Sequence, residues 1–174
     1  MRDVHVHVTV LDERGARQAA GPIASLLDQV PLVTWTEEDV IADHRPSEEL
    51  IGKWELSRVA TNDGAVVGVL LSHVRRAAPP WYPRPVCYLA GLAVSSHLQG
   101  LGIGRQLVEG WVQDAATSPL LVAHAVEELA VQTNAADWNE RVQKLYERAG
   151  FAVTGSKTYS NRTDVVMRQR IVRY

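Results

Sequence analysis

The sequence predicts a mixed α/β fold, a central sheet flanked by helices, and three observations predict it. Val86 to Val94 is an unbroken apolar run, the pattern of a strand buried on both faces, and it leads into a tract with glycine at 100, 102 and 104 that opens helical spacing. Leu129 to Asn134 alternates like a strand and precedes a helical stripe of Trp138, Val142, Leu145 and Ala149. Val59 to Leu71 reads as a hairpin turning at Asn62-Asp63-Gly64.

Val4, Val6, Val8 and Val10 alternate with His5, His7 and Thr9, which predicts a first strand with one buried and one polar face. Residues 12 to 30 are expected to be helical, with Ile23, Leu26, Leu27 and Val30 inward and Pro22 opening a turn after Gly21. Thr36-Glu37-Glu38-Asp39 and Ser47-Glu48-Glu49-Leu50 read as two further helix starts, separated by Arg45-Pro46. Ala77 to Pro85, with four prolines and the aromatics Trp81 and Tyr82, is expected as a stiff loop before the central strand.

After Gly104, the residues Leu107, Val108, Trp111, Val112 and Ala115 trace one buried helix face. Ser118 to Glu127 reads as an additional helix, capped by Ser118 with Pro119 at its first position. Its apolar surface is expected to pack on the domain or on a second copy, which would make a homodimer. Asp137 to Gly150 is a helix with both ends marked, Asp137 capping with Glu140 and Gly150 supplying a left-handed stop. Phe151 to Lys157 and Thr163 to Ile171 are expected to pair, with Arg168, Arg170 and Arg173 on a solvated face.

At 174 residues the chain suits one domain with a sizeable core. A formal net charge of −2 gives no electrostatic reason to expect nucleic acid. No apolar run is long enough to span a bilayer and no signal peptide is evident, so a cytoplasmic protein with no membrane partner is expected. The single Cys87 lies in the buried run, which excludes a disulfide framework and points to a reduced compartment. His5 and His7 share a strand face without an acidic or thiol companion, so no metal is expected.

The glycine tract follows a strand and opens a helix, an arrangement that favours an anion, because unpaired N–H groups and the helix dipole converge there. A dinucleotide fingerprint fails, since Arg105 or Leu107 stands where its third glycine belongs, and a Walker loop is absent. What remains, Gln99-x-x-Gly102-x-Gly104, resembles the acyl-CoA signature of the GNAT superfamily of N-acetyltransferases. Roughly fifty residues on, Asn139, Leu145-Tyr146 and Gly150-Phe151 repeat the superfamily's Asn, L-Y and G-F pattern in order and spacing.

The resemblance implies a single GNAT-like domain over residues 1 to 174. Its central, mostly antiparallel sheet would contain one parallel, splayed strand pair and be flanked by helices. It implies acetyl-CoA as cofactor, with backbone groups of Leu92, Ala93 and Val94 on the pantetheine arm. The backbone from Gln99 through Gly100, Leu101, Gly102, Ile103 and Gly104 to Arg105 would take the pyrophosphate. Asn139, with Asn134 as a weaker candidate, would bond the arm, and Tyr146 would donate a proton to the leaving sulfur. The corresponding helices of the family wall the acceptor site, which makes Trp35, Glu37, Glu38 and Asp39 candidates to receive a cationic amine. The plainer reading is that these carboxylates favour a helix N-terminus. Trp81 and Tyr82 are candidates for an aromatic rim, or belong to a packed connector.

Many relatives carry a glutamate base on the central strand, but Val86 to Val94 holds no carboxylate and no histidine. The amine proton is therefore expected to leave through water to Glu37, Glu38, Asp39, His73 or backbone carbonyls. The expected activity is N-acetylation of a small amine or antibiotic-like metabolite. Acetylation of a protein or peptide N-terminus or lysine is the alternative, and a non-catalytic acyl-CoA binder is the reading from a different class.

Overall fold

The computed structural model describes residues 5–174, so Val4 lies outside the described residues. The elements in chain order are β1 (Val6–Val10), α1 (Glu13–Gln18), α2 (Ala20–Leu27), α3 (Glu37–Ile41), β2 (His44–Arg45), β3 (Glu48–Glu49), α4 (Lys53–Leu56), β4 (Arg58–Asn62) and β5 (Ala65–Arg75). They continue with β6 (Val86–Val94), α5 (Ile103–Thr117), α6 (Pro119–Ala123), β7 (Glu128–Asn134), α7 (Glu140–Arg148), β8 (Ala152–Thr158) and β9 (Thr163–Arg170). Among the described residues one seven-stranded sheet runs in the order β1-β4-β5-β6-β7-β9-β8, parallel only between β6 and β7. This is the mixed sheet with one parallel pair that was expected.

The sheet divides two cores. On one face Leu70, Val74, Cys87 and Leu89 pack with Leu107, Val108 and Trp111 of α5 and with Tyr146 of α7. On the other face Val69, Leu71 and Ala93 meet Ile23, Leu26 and Leu27 of α2. Burying side chains of the Val, Leu or Ile type stabilises by about 1.5–3 kcal/mol each, which explains why these two helices clamp the central strands. A buried relay fastens the first face: Trp111 Nε1 donates to Ser72 Oγ at 2.9 Å, and Ser72 N donates to Ser57 Oγ at 3.0 Å. Cys87 Sγ lies 3.4 Å from Ser72 Oγ, and burial pushes its thiol up to about 12, so it stays a protonated core group.

Asp63 and Gly64 both have positive φ, which gives the β4–β5 hairpin a two-residue turn matched to strand twist. Thr36 and Asp39 form the expected reciprocal cap on α3. Several expectations are corrected. Residues 12 to 30 hold two helices, because the backbone departs from helical geometry at Ala19. Ser47 starts no helix. Pro46 and Ser47 instead turn a small hairpin pairing His44 with Glu49 and Arg45 with Glu48, and α4 begins only after Gly52 in the left-handed region. The additional helix keeps its Ser118 cap but ends at Ala123, since Ala125 takes positive φ. Its Leu121 is buried in the core, while Val122 stays exposed.

Residues 137–139 form a 3-10 turn ahead of α7, no side-chain cap comes from Asp137, and Trp138 is 56% exposed rather than part of the packed stripe. Val10 is likewise exposed. Of the three arginines expected on a solvated face, Arg170 and Arg173 are exposed, while Arg168 is only partly so and donates to Glu128 at 2.9 Å and to Thr154 at 3.2 Å. No helix among the described residues is long and apolar enough to cross a membrane, and no cluster of three His, Cys, Asp or Glu among them could hold a metal ion.

Candidate active site

β6 and β7 stay together for only three residue pairs, Cys87 with Leu129, Tyr88 with Ala130 and Leu89 with Val131. Beyond them β6 follows β5 as far as Val94, and β7 follows β9 as far as Asn134, so the two strands part. A bulge on β6 starts the parting: Leu71 pairs with Gly91 and Ser72 with Leu89, leaving Ala90 unmatched. Gly91 is required there, because an added Cβ would lie 2.9 Å from Leu27 Cδ2 and 3.0 Å from the Trp35 ring. The backbone of Leu92 and Ala93 thus has no ladder partner on the β7 side. The Val94 carbonyl is taken by the Gln99 side-chain amide at 3.2 Å, which ties the following loop to the strand end.

That loop is shaped by positive φ at Gly100 and Gly102. The first backbone bond of α5 runs from Gln106 N to Gly102 O, so the N–H groups of Ile103, Gly104 and Arg105 have no acceptor among the described residues. A Cβ on Gly102 would meet nothing within 4 Å, which leaves the backbone open to a ligand. Three free donors at the start of a fifteen-residue helix beside an open glycine fit a diphosphate, and the parted strands fit the extended amide arm of coenzyme A. The Arg105 side chain is turned away to Glu109. Arg141, on the first turn of α7, instead brings its guanidinium over Gly100, 3.1 Å from where a Cβ would stand. Arg141 leaves no signal in the sequence, since only the packing of α7 against α5 makes it a neighbour of the loop.

Tyr146 of α7 is 3% exposed, with its ring edge-on to Phe151. Burial, with Tyr88 nearby, raises its pKa, and its hydroxyl has no hydrogen-bond partner among the described residues. It is a neutral donor held in reserve. Asn139 is buried, and its Nδ2 donates to Thr133 Oγ1 and to the Asn134 carbonyl, both at 2.7 Å. Its Oδ1 remains the free group, while Asn134 Oδ1 accepts from Ala136 N. Both asparagines therefore shape the end of β7.

The acceptor candidates separate. Trp35 reaches the bulge through Gly91, and Glu37 and Glu38 are exposed. Asp39 is occupied: Thr36 N and Thr36 Oγ1 both donate to its Oδ2 at 2.8 Å, and these bonds hold its carboxyl below the usual range. Trp81 donates to the Ser156 carbonyl at 2.8 Å and is covered by Lys157, so it belongs to the β8 surface. Tyr82 is 2% exposed and covered by Arg75, which also covers Tyr88. Of the two expectations for this loop, Tyr82 fits the packed connector, and one face of each ring is already held by one of the protein's own cations.

His73 is buried beside Tyr88 and its pKa is pushed down to about 4, chiefly by burial and then by Arg45, Arg75 and Lys53. It is a neutral imidazole and a weak base near pH 7. Lys53, also buried, donates to the carbonyls of Asp39, Val40 and Ala42 and holds the C-terminal end of α3; burial brings its pKa down to about 8.

An open cavity of about 690 Å³ lies past the end of β7, lined by Pro31, Leu32, Asn134 and Trp138 and, from the β8–β9 turn, by Asn161 and Arg162. A polar network with no motif in the local sequence to mark it runs from it toward the parted strands. Arg162 Nε donates to Asp164, and Gln132 Nε2 donates to Asp164 Oδ2 at 2.9 Å and to Tyr159 Oη at 2.6 Å. Gln132 directly follows the last β6–β7 pair. Period-two spacing from Ala130 to Gln132 on β7 and from Asp164 to Val166 on β9 was the available signal.

Residues 23–151 match the family model described as the Acetyltransferase (GNAT) family. The fold is similar to the ribosomal-protein-S18-alanine N-acetyltransferase from Escherichia coli, with a TM-score of 0.68, 16% identity, and 98% of this chain and 96% of that chain covered. It is similar to the NatC complex bound to Gag peptide and CoA, with a TM-score of 0.72, 19% identity and coverages of 97% and 99%. It is also similar to Arabidopsis thaliana Naa50 in complex with the bisubstrate analogue CoA-Ac-MVNAL, with a TM-score of 0.66, 18% identity and coverages of 95% and 99%. The comparison with curated proteins finds no match. At these identities the solved structures speak for the fold, and it is the family match, over most of the chain and spanning both the glycine loop and α7, that shows the chain to belong to the Acetyltransferase (GNAT) family.

Proposed function

We propose that this acyltransferase moves the acetyl group of acetyl-CoA directly to the primary amine of a small molecule. The observation that supports acetyl transfer is the parting of β6 from β7, with β6 running on to the open Gly102 at the start of α5 and the Tyr146 hydroxyl unpaired on α7.

Acetyl-CoA supplies a thioester carbonyl open to amine attack and a thiol as leaving group. The N–H groups of Ile103, Gly104 and Arg105 hold the diphosphate, and Arg141 adds a charge from α7. Leu92 and Ala93 offer backbone partners to the pantetheine arm, and Asn139 offers Oδ1. Trp35 closes the bulge side, so the amine is held against the carbonyl and gains from proximity. Tyr146 donates its proton toward the sulfur as the carbon–sulfur bond breaks, and burial keeps it protonated until then. The ammonium proton leaves earlier through water, toward the exposed Glu37 and Glu38, since Asp39 is occupied and His73 is a weak base. A second reading, acetylation of a peptide N-terminus, is favoured by the openness of the cavity between Leu32 and Asn161. A thiol-release assay with acetyl-CoA over small amines and short peptides tests both. Faster turnover of small amines supports the first reading, and faster turnover of peptides replaces it with the second.

A further inference from the structure

We infer that the acceptor amine carries a carboxylate, received by the outer edge of the Arg162 guanidinium. The inference rests on the acetyltransferase reading and names the substrate class for the same site.

Arg162 is the charged residue lining the cavity past β7. Its guanidinium stacks 4.4 Å from the Tyr159 ring centre, and its Nε is directed to both Asp164 oxygens, at 3.2 and 3.3 Å. Its two terminal nitrogens have no partner among the described residues. A guanidinium fixed through Nε and stacked on a ring keeps a two-nitrogen edge that matches a carboxylate bidentately. The support is rigid: Asp164 is 6% exposed and also accepts from Gln132, which in turn donates to Tyr159. Lys157 also covers the Tyr159 ring, at 5.2 Å, so a second cation stands on the ring that supports Arg162.

The sign of the charge decides between acceptors. Around Tyr159 stand two cations, Arg162 and Lys157, and one carboxylate, Asp164, which Arg162 already partners. A bare cationic amine meets repulsion at Arg162, whereas an amine with a carboxylate a few bonds away gains an ion pair with it and is oriented with its nitrogen toward Gln132 and the parted strands. The side chain of Arg162 keeps 25% exposure, so a ligand entering the cavity reaches it.

The test compares amino acids with their carboxamides, which keep the amine and lose the negative charge. In thiol-release assays with acetyl-CoA, the wild type should show kcat/KM for the acids above that for the amides by about 10- to 100-fold, the range of a charge-assisted bidentate pair. Arg162→Gln should erase that ratio, mainly by raising KM for the acids, while KM for acetyl-CoA stays unchanged, and Arg162→Lys should restore part of it. Equal use of acids and amides by the wild type, or an Arg162→Gln loss shared equally by both, overturns the inference. Calorimetric titration of the wild type with coenzyme A present gives a second readout. Tighter binding of the acids supports the inference without turnover, and equal binding overturns it. Thiol release with neither class, beside tighter binding of the acids, would fault the acetyltransferase reading alone. Preference for peptides with acidic side chains over both free acids and amides would also overturn the assignment to a small amino carboxylate.

Discussion

Replacing Gly102 with valine separates the ligand-binding role of the loop from its role in the fold. Gly102 has φ of +83°, and a Cβ there meets no atom within 4 Å. The added Cβ itself meets no atom, so the main cost is that of placing an L side chain in the left-handed region, about 2 kcal/mol. For a chain of this size that lowers Tm by about 4–8 °C and leaves a folded protein. Binding should suffer far more. If the new side chain costs the diphosphate two of the three free N–H donors, each charge-assisted bond worth about 1.5–3 kcal/mol, then about 3–6 kcal/mol is lost, or two to four powers of ten in Kd. Calorimetry with coenzyme A alongside thermal unfolding reads both quantities. A Tm drop in the expected range with unchanged affinity would refute the assignment of the loop to the diphosphate.

Three further expectations follow from the same geometry. Tyr146→Phe should lower kcat by about 10²-fold with little change in acetyl-CoA affinity, and wild-type kcat measured where chemistry limits the rate would return Tyr146 to a packing role. Arg141→Ala should weaken coenzyme A by about tenfold, as expected of one exposed charge-assisted contact, while S-acetylpantetheine, which has no diphosphate, should be used as well as by the wild type; equal weakening of both donors would contradict it. The His73 pKa lies below its ordinary 6.5, at about 4, so the folded state binds fewer protons than the unfolded chain in that window. The stability His73 contributes is present above pH 6.5 and is lost as pH falls toward 4, by about 3 kcal/mol relative to His73→Gln. Denaturation curves whose difference stays constant from pH 7 to pH 4 would exclude that contribution.

Elements whose residues repeat with one clear period were legible in the sequence. β6 announced itself as an unbroken apolar run, α5 as a stripe from Leu107 to Ala115, and the β4–β5 turn as Asn-Asp-Gly. The glycine loop was legible because a turn with positive φ leaves a compositional trace. Local signals failed where a tertiary partner decided the outcome. Ser47-Glu48-Glu49 has the composition of a helix start, yet Pro46 and the pairing of His44 with Glu49 make it a hairpin. Trp81 and Tyr82 suggested open aromatic faces, but nothing near them in sequence reveals that Lys157 and Arg75 cover those rings. Arg141, Gln132, Asp164 and Arg162 were missed for the same reason. Each is an ordinary polar residue in its own segment, and only the strand order and the packing of α7 on α5 bring them to the site.

Amine-dependent thiol release from acetyl-CoA, followed by mass analysis of the acceptor, in the wild type and in Tyr146→Phe decides whether acetyl transfer takes place at the parting of β6 and β7. One acetyl group should appear on the acceptor for each thiol released by the wild type, and the variant should form the same product about 10²-fold more slowly. Thiol release that is independent of any amine, or equal rates in the two proteins where chemistry limits turnover, would contradict it.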